Sequence, residues 1–387
     1  MMSKVSVLRI LMLAVVQALM VGCASSQPQL DRIPQIVFSG QNAIQQDFAR
    51  AQMPLEVVLP RDHGPHLNFQ TEWWYYTGNL ATGDGRHFGY QFTIFRRGFA
   101  PGESSRPSIF ATNQVYFAHL ALTDVEAGEH WASERFSRGA AGLAGGTADP
   151  LHIWLNDWSV DGLAADGSRL RLQATHGDLH LDLVLEAEKP LVAHGNSGLS
   201  EKTIAPGNAS YYLSYTRMKT AGTIEVAGDP YEVTGSSWFD HEWSTSALGA
   251  DDVGWDWFGL QLDDGRELML YRIRRADGSV EPVSGGTLVE ADGTQRSLNV
   301  DEVSVEVLET WESPHSEARY PAAWRIEIPT AWIVLEVEPY LADQEMNLSF
   351  IYWEGAVAVR GTSEGKSISG WGYVELTGYH ESMAGVF

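Results

Sequence analysis

The chain of 387 residues is poor in the residue types that several common kinds of chemistry require. It contains one cysteine, Cys23, so it can form no internal disulfide and offers no closed Cys/His set for a metal ion. Basic residues are also scarce, because 26 Lys and Arg face 50 Asp and Glu, for a net charge of −24. A chain this acidic repels phosphate backbones. We therefore expect no nucleic-acid partner, and partners that are neutral, cationic or apolar.

Two short segments have the letters of catalytic motifs but lack the structural context that those motifs need. Residues 361–365 read Gly-x-Ser-x-Gly, yet they lie in a Gly/Ser turn with no helix after it. His63 and His66 are separated by Gly-Pro, which forbids a helical metal-binding turn. No phosphate-binding loop or dinucleotide fingerprint occurs. A serine hydrolase and a zinc enzyme are therefore not supported, and we expect no metal and no cofactor.

Long hydrophobic runs are missing as well, and the apolar run at residues 10–16 is too short to cross a bilayer. Together with residues 19–22 before Cys23 it predicts a lipoprotein signal peptide over residues 1–22, followed by a lipidated Cys23 and a tether up to residue 50. Ala24 after the cysteine favours the outer membrane, with the protein facing the periplasm. The alternative is an ordinary signal peptide with a chance cysteine.

The rest of the chain shows the punctuation of an antiparallel β protein. Short runs alternate apolar and polar residues, for example at 170–174, 179–186 and 303–307. Asp-Gly pairs, which favour tight hairpin turns, begin at positions 84, 161, 166, 264, 277 and 292. We predict a mainly β protein with two domains, at residues 51–245 and 246–387.

A partial internal repeat supports the division into two halves. Residues 74–97 run from Trp-Tyr through Asp-Gly-Arg to a return strand that ends in two arginines. Residues 257–275 repeat this order, at an offset near 180 residues. The repeat suggests duplicated barrels or sandwiches, and the alternative is a chance similarity between two hairpins.

Aromatic residues gather beside acids and histidines in segments 72–78, 238–243 and 254–258. Such clusters form either a very large core or an apolar pocket with a few polar groups aimed into it. In an alternating strand, Glu72, Trp74 and Tyr76 share one face, whereas Trp73 lies on the other. One face should be core and the other should line a cavity.

These segments resemble the AttH and carotenoid 1,2-hydratase (hydroxyneurosporene synthase) family, whose members are often labelled "predicted secreted hydrolase". The resemblance covers residues 50 to 380 and rests on long, Trp-rich motifs. They lie at residues 66–78, 88–91, 210–212, 235–245, 254–258 and 370–379. It implies two lipocalin-like antiparallel β-barrels in tandem. In the hydratase branch it implies cofactor-free addition of water to an isoprenoid double bond, and on the AttH side an association with an ABC-transporter permease.

The same resemblance assigns catalytic roles to His241, Trp243 and Asp256. Asp256, placed between two tryptophans, would be an acid kept protonated by burial. His241 would hold or shuttle the proton, and the indole of Trp243 would stabilise a cation. The alternatives are that Asp256 caps a turn or pairs with Arg272, and that His241 belongs to a polar network between the domains.

Glu72 is a second acidic candidate, and its alternative role is a structural ion pair with Arg96 or Arg97. We also predict an aromatic-lined cleft for an isoprenoid or acyl ligand. Its predicted ligand-binding residues are Trp73, Trp74, Tyr76, Trp238, Trp255 and Trp257. Three readings remain open from the sequence: a cofactor-free hydro-lyase or hydrolase, a non-enzymatic lipid carrier or transporter accessory protein, and a purely structural role for every tryptophan.

Overall fold

The computed structural model describes residues 47–384, except residues 54, 206 and 246–247. The predictions for the signal peptide, for Cys23 and for most of the tether lie outside this range. Within it, nearly all regular structure is β, accompanied by short 3-10 helices at Arg61–His63, Val300–Glu302 and Pro329–Ala331. No helix of the described part is long and apolar enough to cross a membrane.

The first sheet contains thirteen antiparallel strands. In chain order they are β1 Thr71–Ala81, β2 His87–Gly98, β3 Gln114–Asp124, β4 Glu129–Arg138, β5 Ala144–Ala148, β6 Leu151–Leu155, β7 Trp158–Gly162, β8 Arg169–His176, β9 Leu179–Ala187, β10 Val192–Ala193, β11 Leu199–Glu201, β12 Ala209–Val226 and β13 Asp229–Ser244. The spatial order is β4-β3-β2-β1-β13-β12-β9-β8-β7-β6-β5, with β10 and β11 on β12. Because β3 and β4 approach β5 and β6, the sheet nearly closes into a barrel.

The second sheet contains ten antiparallel strands and forms a half-barrel. They are β14 Asp252–Leu262, β15 Glu267–Arg275, β16 Gly285–Val289, β17 Gln295–Asn299, β18 Ser304–Glu312, β19 Arg319–Ile328, β20 Ile333–Pro339, β21 Glu345–Asn347, β22 Ile351–Ser363 and β23 Lys366–Leu376. The order is β17-β16-β15-β14-β23-β22-β20-β19-β18, with β21 on β22. The predicted mainly β, two-barrel lipocalin-like arrangement is confirmed. The predicted boundary at 245/246 falls between β13 and β14.

The two sheets share one feature of strand order, because in each the first strand pairs with the second strand and with the last. Thus β1 lies between β2 and β13, and β14 lies between β15 and β23. The two hairpins of the sequence repeat therefore occupy corresponding places. Their turns contain Gly85 and Gly265 with φ of 95° and 85°, a left-handed conformation that glycine adopts at little cost.

Alternation along the strands gives each sheet two different faces. The inner face of the first sheet holds a core that includes Trp74, Tyr76 and Phe239. The inner face of the second holds another, with Phe258 and Trp324. A third cluster lies where the sheets meet and consists of Tyr75, Tyr212, Trp238, Trp257, Met269, Ala356 and Tyr373. The outer faces of β1 and β13 thus become a buried interface.

Polar and charged contacts fix how the two sheets meet. The side-chain amide of Gln261 on β14 donates to the backbone oxygens of Thr216 and Ser237 at 2.8 and 3.0 Å. Glu267 on β15 is fully buried and pairs with Lys189 at 2.7 Å and Arg217 at 2.6 Å, both from the first half of the chain. A buried carboxylate with two cationic partners holds the halves in one register.

Candidate active site between the two sheets

A cavity with an opening to solvent lies between the sheets and encloses about 990 Å³ including that opening. The first half of the chain contributes the wall residues Trp73, Tyr75, Gln91, Thr93, Phe95, His119, Lys202, Tyr212, Asp240 and Glu242. The second half contributes Leu248, Trp255, Trp257, Tyr271, Ile273, Phe350, Tyr352, Glu354, Glu375, Thr377 and Met383. Four carboxyl groups thus project into a chamber rich in aromatic side chains, which is the arrangement expected of a site that handles protons on an apolar molecule.

Asp240 is held on the first-sheet wall by three donors. Tyr212 donates to it at 2.7 Å, the indole N–H of Trp238 donates at 2.6 Å, and the hydroxyl of Ser214 donates as well. Burial raises the pKa of Asp240 to about 7, although the three hydrogen bonds act in the opposite direction. This carboxyl group therefore changes its charge near neutral pH.

Glu354 and Glu375 face each other on adjacent strands, because β22 and β23 place them directly opposite. Trp255 donates its indole N–H to Glu375 at 2.8 Å, and burial raises the pKa of Glu375 to about 7. Neither carboxylate oxygen of Glu354 makes a hydrogen bond of good distance and angle among the described residues, although the hydroxyls of Tyr75 and Tyr352 lie close enough to lower its pKa. Burial and the charge of Glu375 raise the pKa of Glu354 well above its usual range. At neutral pH the pair thus offers one protonated acid beside one group that can accept a proton.

Lys202 provides a positive charge at another part of the wall. Its ammonium group lies 2.6 Å from Glu242 and sits over the rings of Tyr212 and Tyr271, at 5.4 and 5.2 Å. The ion pair and the two rings hold the lysine against the cavity. A polar substituent of a ligand would meet this group.

His119 adds a neutral polar group. Its Nδ1 lies 2.8 Å from the hydroxyl of Tyr352, and burial lowers the pKa of His119 to about 3. A histidine with so low a pKa stays uncharged at neutral pH. It can donate or accept a hydrogen bond without adding charge to the chamber.

The predicted ligand-binding residues lie in three places. Trp73, Trp255 and Trp257 line the cavity. Trp238 lies behind the wall, with its ring centroid 5.8 Å from that of Trp257. Trp74 and Tyr76 instead lie in the core of the first sheet, because they are on its inner face.

The predicted catalytic residues His241 and Trp243 also project from the inner face and not into the cavity. His241 Nε2 lies 2.9 Å from Glu72, and its ring packs on Trp74. Trp243 stacks on His66 with centroids 3.9 Å apart. These side chains close one end of the first barrel.

Glu72 is the centre of that group and makes the ion pair with Arg96, at 2.8 Å, that was predicted as its alternative role. Burial alone would raise the pKa of Glu72. The charges of Arg96 and His66 outweigh it and hold the pKa well below its usual range. One set of side chains in the described part of the chain could hold a metal ion, because its ligand atoms all lie within 4.8 Å of one another. This set consists of His66, Glu72 and His241. In this structure those atoms hydrogen-bond to each other, which favours a structural network.

Asp256 lies on the inner face of the second sheet, opposite to its neighbours Trp255 and Trp257. It pairs with Arg274 at 2.8 Å and accepts a hydrogen bond from Tyr379 at 3.0 Å. Its surroundings are therefore those of an ion pair, as in the alternative reading, with Arg274 in the place predicted for Arg272. The structure does not bring Asp256 together with His241 and Trp243.

Sequence reasoning did not select the acids that face the cavity. Asp240 and Glu242 flank His241, and strict alternation was the available signal that they point away from it. Glu375 lies inside the motif at 370–379. Glu354 follows an aromatic pair in a strand that is otherwise buried, and an acid in that position is a signal in itself.

The fold and this site define a two-barrel lipocalin-like protein with an acidic, aromatic cavity between its barrels. Comparison with known proteins gives the family. The sequence model described as AttH-like matches residues 50–379, so the chain belongs to the AttH-like family and the resemblance seen in the sequence is confirmed. A solved structure of an AttH from Nitrosomonas europaea is 34% identical, covers 86% of this chain and 100% of its own, and has a TM-score of 0.77.

Two curated relatives carry names that describe reactions of water. Dehydratase asqC from Emericella nidulans is 24% identical over 229 residues, which are 56% of this chain and 63% of the relative. Kievitone hydratase from Fusarium solani subsp. phaseoli is 23% identical over 236 residues, which are 58% of this chain and 65% of the relative. Each match spans less than two thirds of the relative's length. The family thus includes proteins named for adding or removing water.

Proposed function

We propose that this protein is a cofactor-free hydro-lyase, which adds water to or removes it from an apolar substrate held between the two sheets. The observation that carries the proposal is the pair Glu354 and Glu375, opposite each other on adjacent strands and buried in an aromatic wall. Their environments push the two pKa values apart, which is what an acid and a base at one site require.

In the hydration direction, Glu354 transfers its carboxyl proton to one alkene carbon, and the π electrons form the new C–H bond. Water then bonds to the other carbon and releases its extra proton to Glu375. Glu354 ends ionised and Glu375 protonated, so a proton must pass between the two groups to reset the site. Dehydration runs the same steps backwards. The indole rings of Trp73 and Trp257 line the cavity, and an indole ring stabilises a nearby cation by roughly 0.5–2 kcal/mol.

The composition of the wall supports our proposal for the substrate class. Aromatic side chains suit an isoprenoid or acyl chain, and Lys202 with Glu242 suits one polar substituent. Carotenoid-like alkenes are one member of this class. The rival function is a lipid carrier or accessory protein of a transporter, which the apolar lining alone would also serve.

Solvent isotope exchange distinguishes these functions. The protein is incubated in deuterated water with an acyclic isoprenoid alkene and, separately, with its tertiary alcohol. Mass spectrometry follows deuterium on carbon and the interconversion of the two compounds. We expect turnover in the wild type and a loss of about 10²–10⁴-fold in both Glu354→Gln and Glu375→Gln. The matched control is Glu309→Gln, at an exposed position on β18. Tight retention of the alkene without turnover in the wild type would leave only the carrier function.

The cellular location remains a proposal from the sequence: a lipid-anchored protein of the cell envelope, at the outer membrane and facing the periplasm. We predict that Cys23→Ser abolishes the membrane attachment that survives cell fractionation, because the tether after it has no apolar anchor of its own. Labelling cells with a radioactive fatty acid and fractionating them would test this. Label that persists on the Cys23→Ser protein would contradict the prediction.

A further inference from the structure

One end of the first barrel carries an unusual concentration of exposed apolar side chains. The loop of residues 99–113 between β2 and β3 presents Phe99, Ile109 and Phe110, which are 41%, 73% and 60% exposed. Leu143, 48% exposed, lies beside them, since the Ala141 N–H donates to the Ile109 carbonyl. We call these four side chains the apolar tip. Exposed apolar clusters of this kind mark interaction surfaces.

The tip is held in a defined shape. The Phe99 N–H donates to the carbonyl of Asn113 at 2.8 Å and closes the base of the loop. The Gly102 N–H donates to Leu67 at 2.9 Å, and Arg138 donates to the carbonyl of Phe110 at 2.6 Å. A loop fixed at its base, middle and end keeps its apolar side chains exposed instead of folding them inward. A preorganised surface loses little conformational entropy on binding.

The start of the described chain lies at the same end of the barrel. Phe48 is buried, and its ring lies against Gly98, the residue directly before Phe99. The tether predicted to run from the lipidation site at Cys23 up to residue 50 therefore ends beside the tip. A tether attached there holds the tip near the bilayer at a high effective concentration, so that even weak contact is populated.

Local charge also fits a lipid surface. The chain as a whole has a net charge of −24, but residues 99–113 contain one acid, Glu103, and one base, Arg106. The tip is therefore close to neutral and does not depend on anionic lipids. In addition, β2 ends in the tip and contributes Phe95 to the cavity wall. Docking of the tip would bring the cavity close to the source of an apolar ligand.

From these observations we infer that the apolar tip is a membrane-docking surface, distinct from the lipid anchor, that inserts into the headgroup boundary of a bilayer. Its expected depth is roughly 5–10 Å. The partner is the lipid surface itself.

Fluorescence quenching tests the inference on the mature protein in vesicles of phosphatidylcholine and phosphatidylethanolamine. Acylation would occupy Cys23, so a cysteine at Phe110 would be the free thiol for an environment-sensitive dye. The matched control is Trp332→Cys, at a position directly before β20 that is also apolar and is 75% exposed. Lipids with a quencher on the acyl chain should quench the dye at position 110 strongly and the dye at position 332 weakly. If protein without an introduced cysteine also takes up dye, Cys23 carries no lipid. Quenching at positions 110 and 332 is then compared in the Cys23→Ser protein with added vesicles.

Equal quenching at the two positions would overturn the inference. Amide hydrogen exchange gives a second readout without any substitution, because residues 99–113 should exchange more slowly on vesicles and residues 329–333 should not. Protection of residues 99–113 in native membranes but not in protein-free vesicles would also overturn it, and would point to a protein partner. None of these outcomes depends on turnover in the cavity.

Discussion

At the scale of single residues, the buried acids of this protein differ by the partners that surround them. Glu72 and Glu267 are fully buried and have cationic partners within 2.8 Å. Asp240, Glu354 and Glu375 have polar or aromatic neighbours instead, and burial raises the pKa of each. The first kind stabilises the fold as a charged pair, whereas the second is available for proton transfer.

Asp240→Asn should reveal this raised pKa as a pH-dependent change in stability. The usual pKa of the group is 3.8 and the folded value is about 7. Between these values the native state holds a proton that the unfolded state releases, so the contribution of Asp240 to stability falls as pH rises and is constant above about 7. Relative to wild type, Asp240→Asn should therefore gain stability across this interval, by at most about 4 kcal/mol.

Denaturant unfolding of both proteins from about pH 4 to about pH 8 would measure the difference. Asp229→Asn, at an exposed position at the start of β13, is the control and should show no such trend. A difference between wild type and Asp240→Asn that does not change with pH would contradict the raised pKa.

We expect Asp256 to contribute to the stability of the fold and not to turnover. Asp256→Asn leaves the guanidinium of Arg274 without its carboxylate, which should cost roughly 3–5 kcal/mol of unfolding free energy. Replacing both partners, as Asp256→Asn with Arg274→Met, should restore part of that loss, because no buried charge is then left alone. Thermal unfolding of the single and double variants would measure it. An unchanged melting temperature in Asp256→Asn together with lost turnover would instead support the catalytic role predicted from the sequence.

At the scale of strands and hairpins, the sequence was most informative where the determinants are local. Asp-Gly pairs predicted the β1–β2 and β14–β15 turns, and alternation placed Trp73 and Trp74 on opposite faces. Which face of β1 becomes core depends on the sheet that packs against the other face. That packing involves residues some 280–300 positions after Trp73 and Trp74, such as Glu354 and Tyr373. For the same reason the motifs did not show which of their acids face the cavity, although Asp240, Glu242 and Glu375 lie inside them, because the cavity forms from strands that meet only in the folded chain.

The packing of β2 on β22 depends on a glycine. A Cβ atom added at Gly89 would lie 2.5 Å from the Cβ of Ala356, closer than real side chains approach. Gly89→Ala should therefore push the sheets apart and cost about 1–3 kcal/mol of unfolding free energy. Adding Ala356→Gly should recover part of this loss, because it removes the other half of the clash. Gly83→Ala is the control, since no atom lies within 4 Å of its added Cβ. Chemical denaturation of the wild type and the three variants checks this, and equal stabilities of Gly83→Ala and Gly89→Ala would show that the sheets can separate freely.

At the scale of the whole molecule, the cavity belongs to neither barrel alone. Asp240 and Tyr212 come from the first sheet, and Glu354, Glu375 and Trp257 come from the second. The apolar faces that meet between the sheets would be exposed if either half existed without the other. The unit that can bind and react is therefore the pair of sheets.

Dividing the chain between residues 246 and 247 tests this dependence. Each half expressed separately should be poorly soluble, because one would expose Tyr75 and Trp238 and the other Trp257 and Tyr373. Co-expressed halves should associate and regain retention of an apolar ligand, which affinity purification through a tag on one half would detect. Glu267→Gln in the co-expressed pair should weaken the association, because Lys189 and Arg217 lose their shared carboxylate. Two halves that fold well alone and do not bind each other would show that the interface is not needed for folding, and that the cavity depends on the covalent link between them.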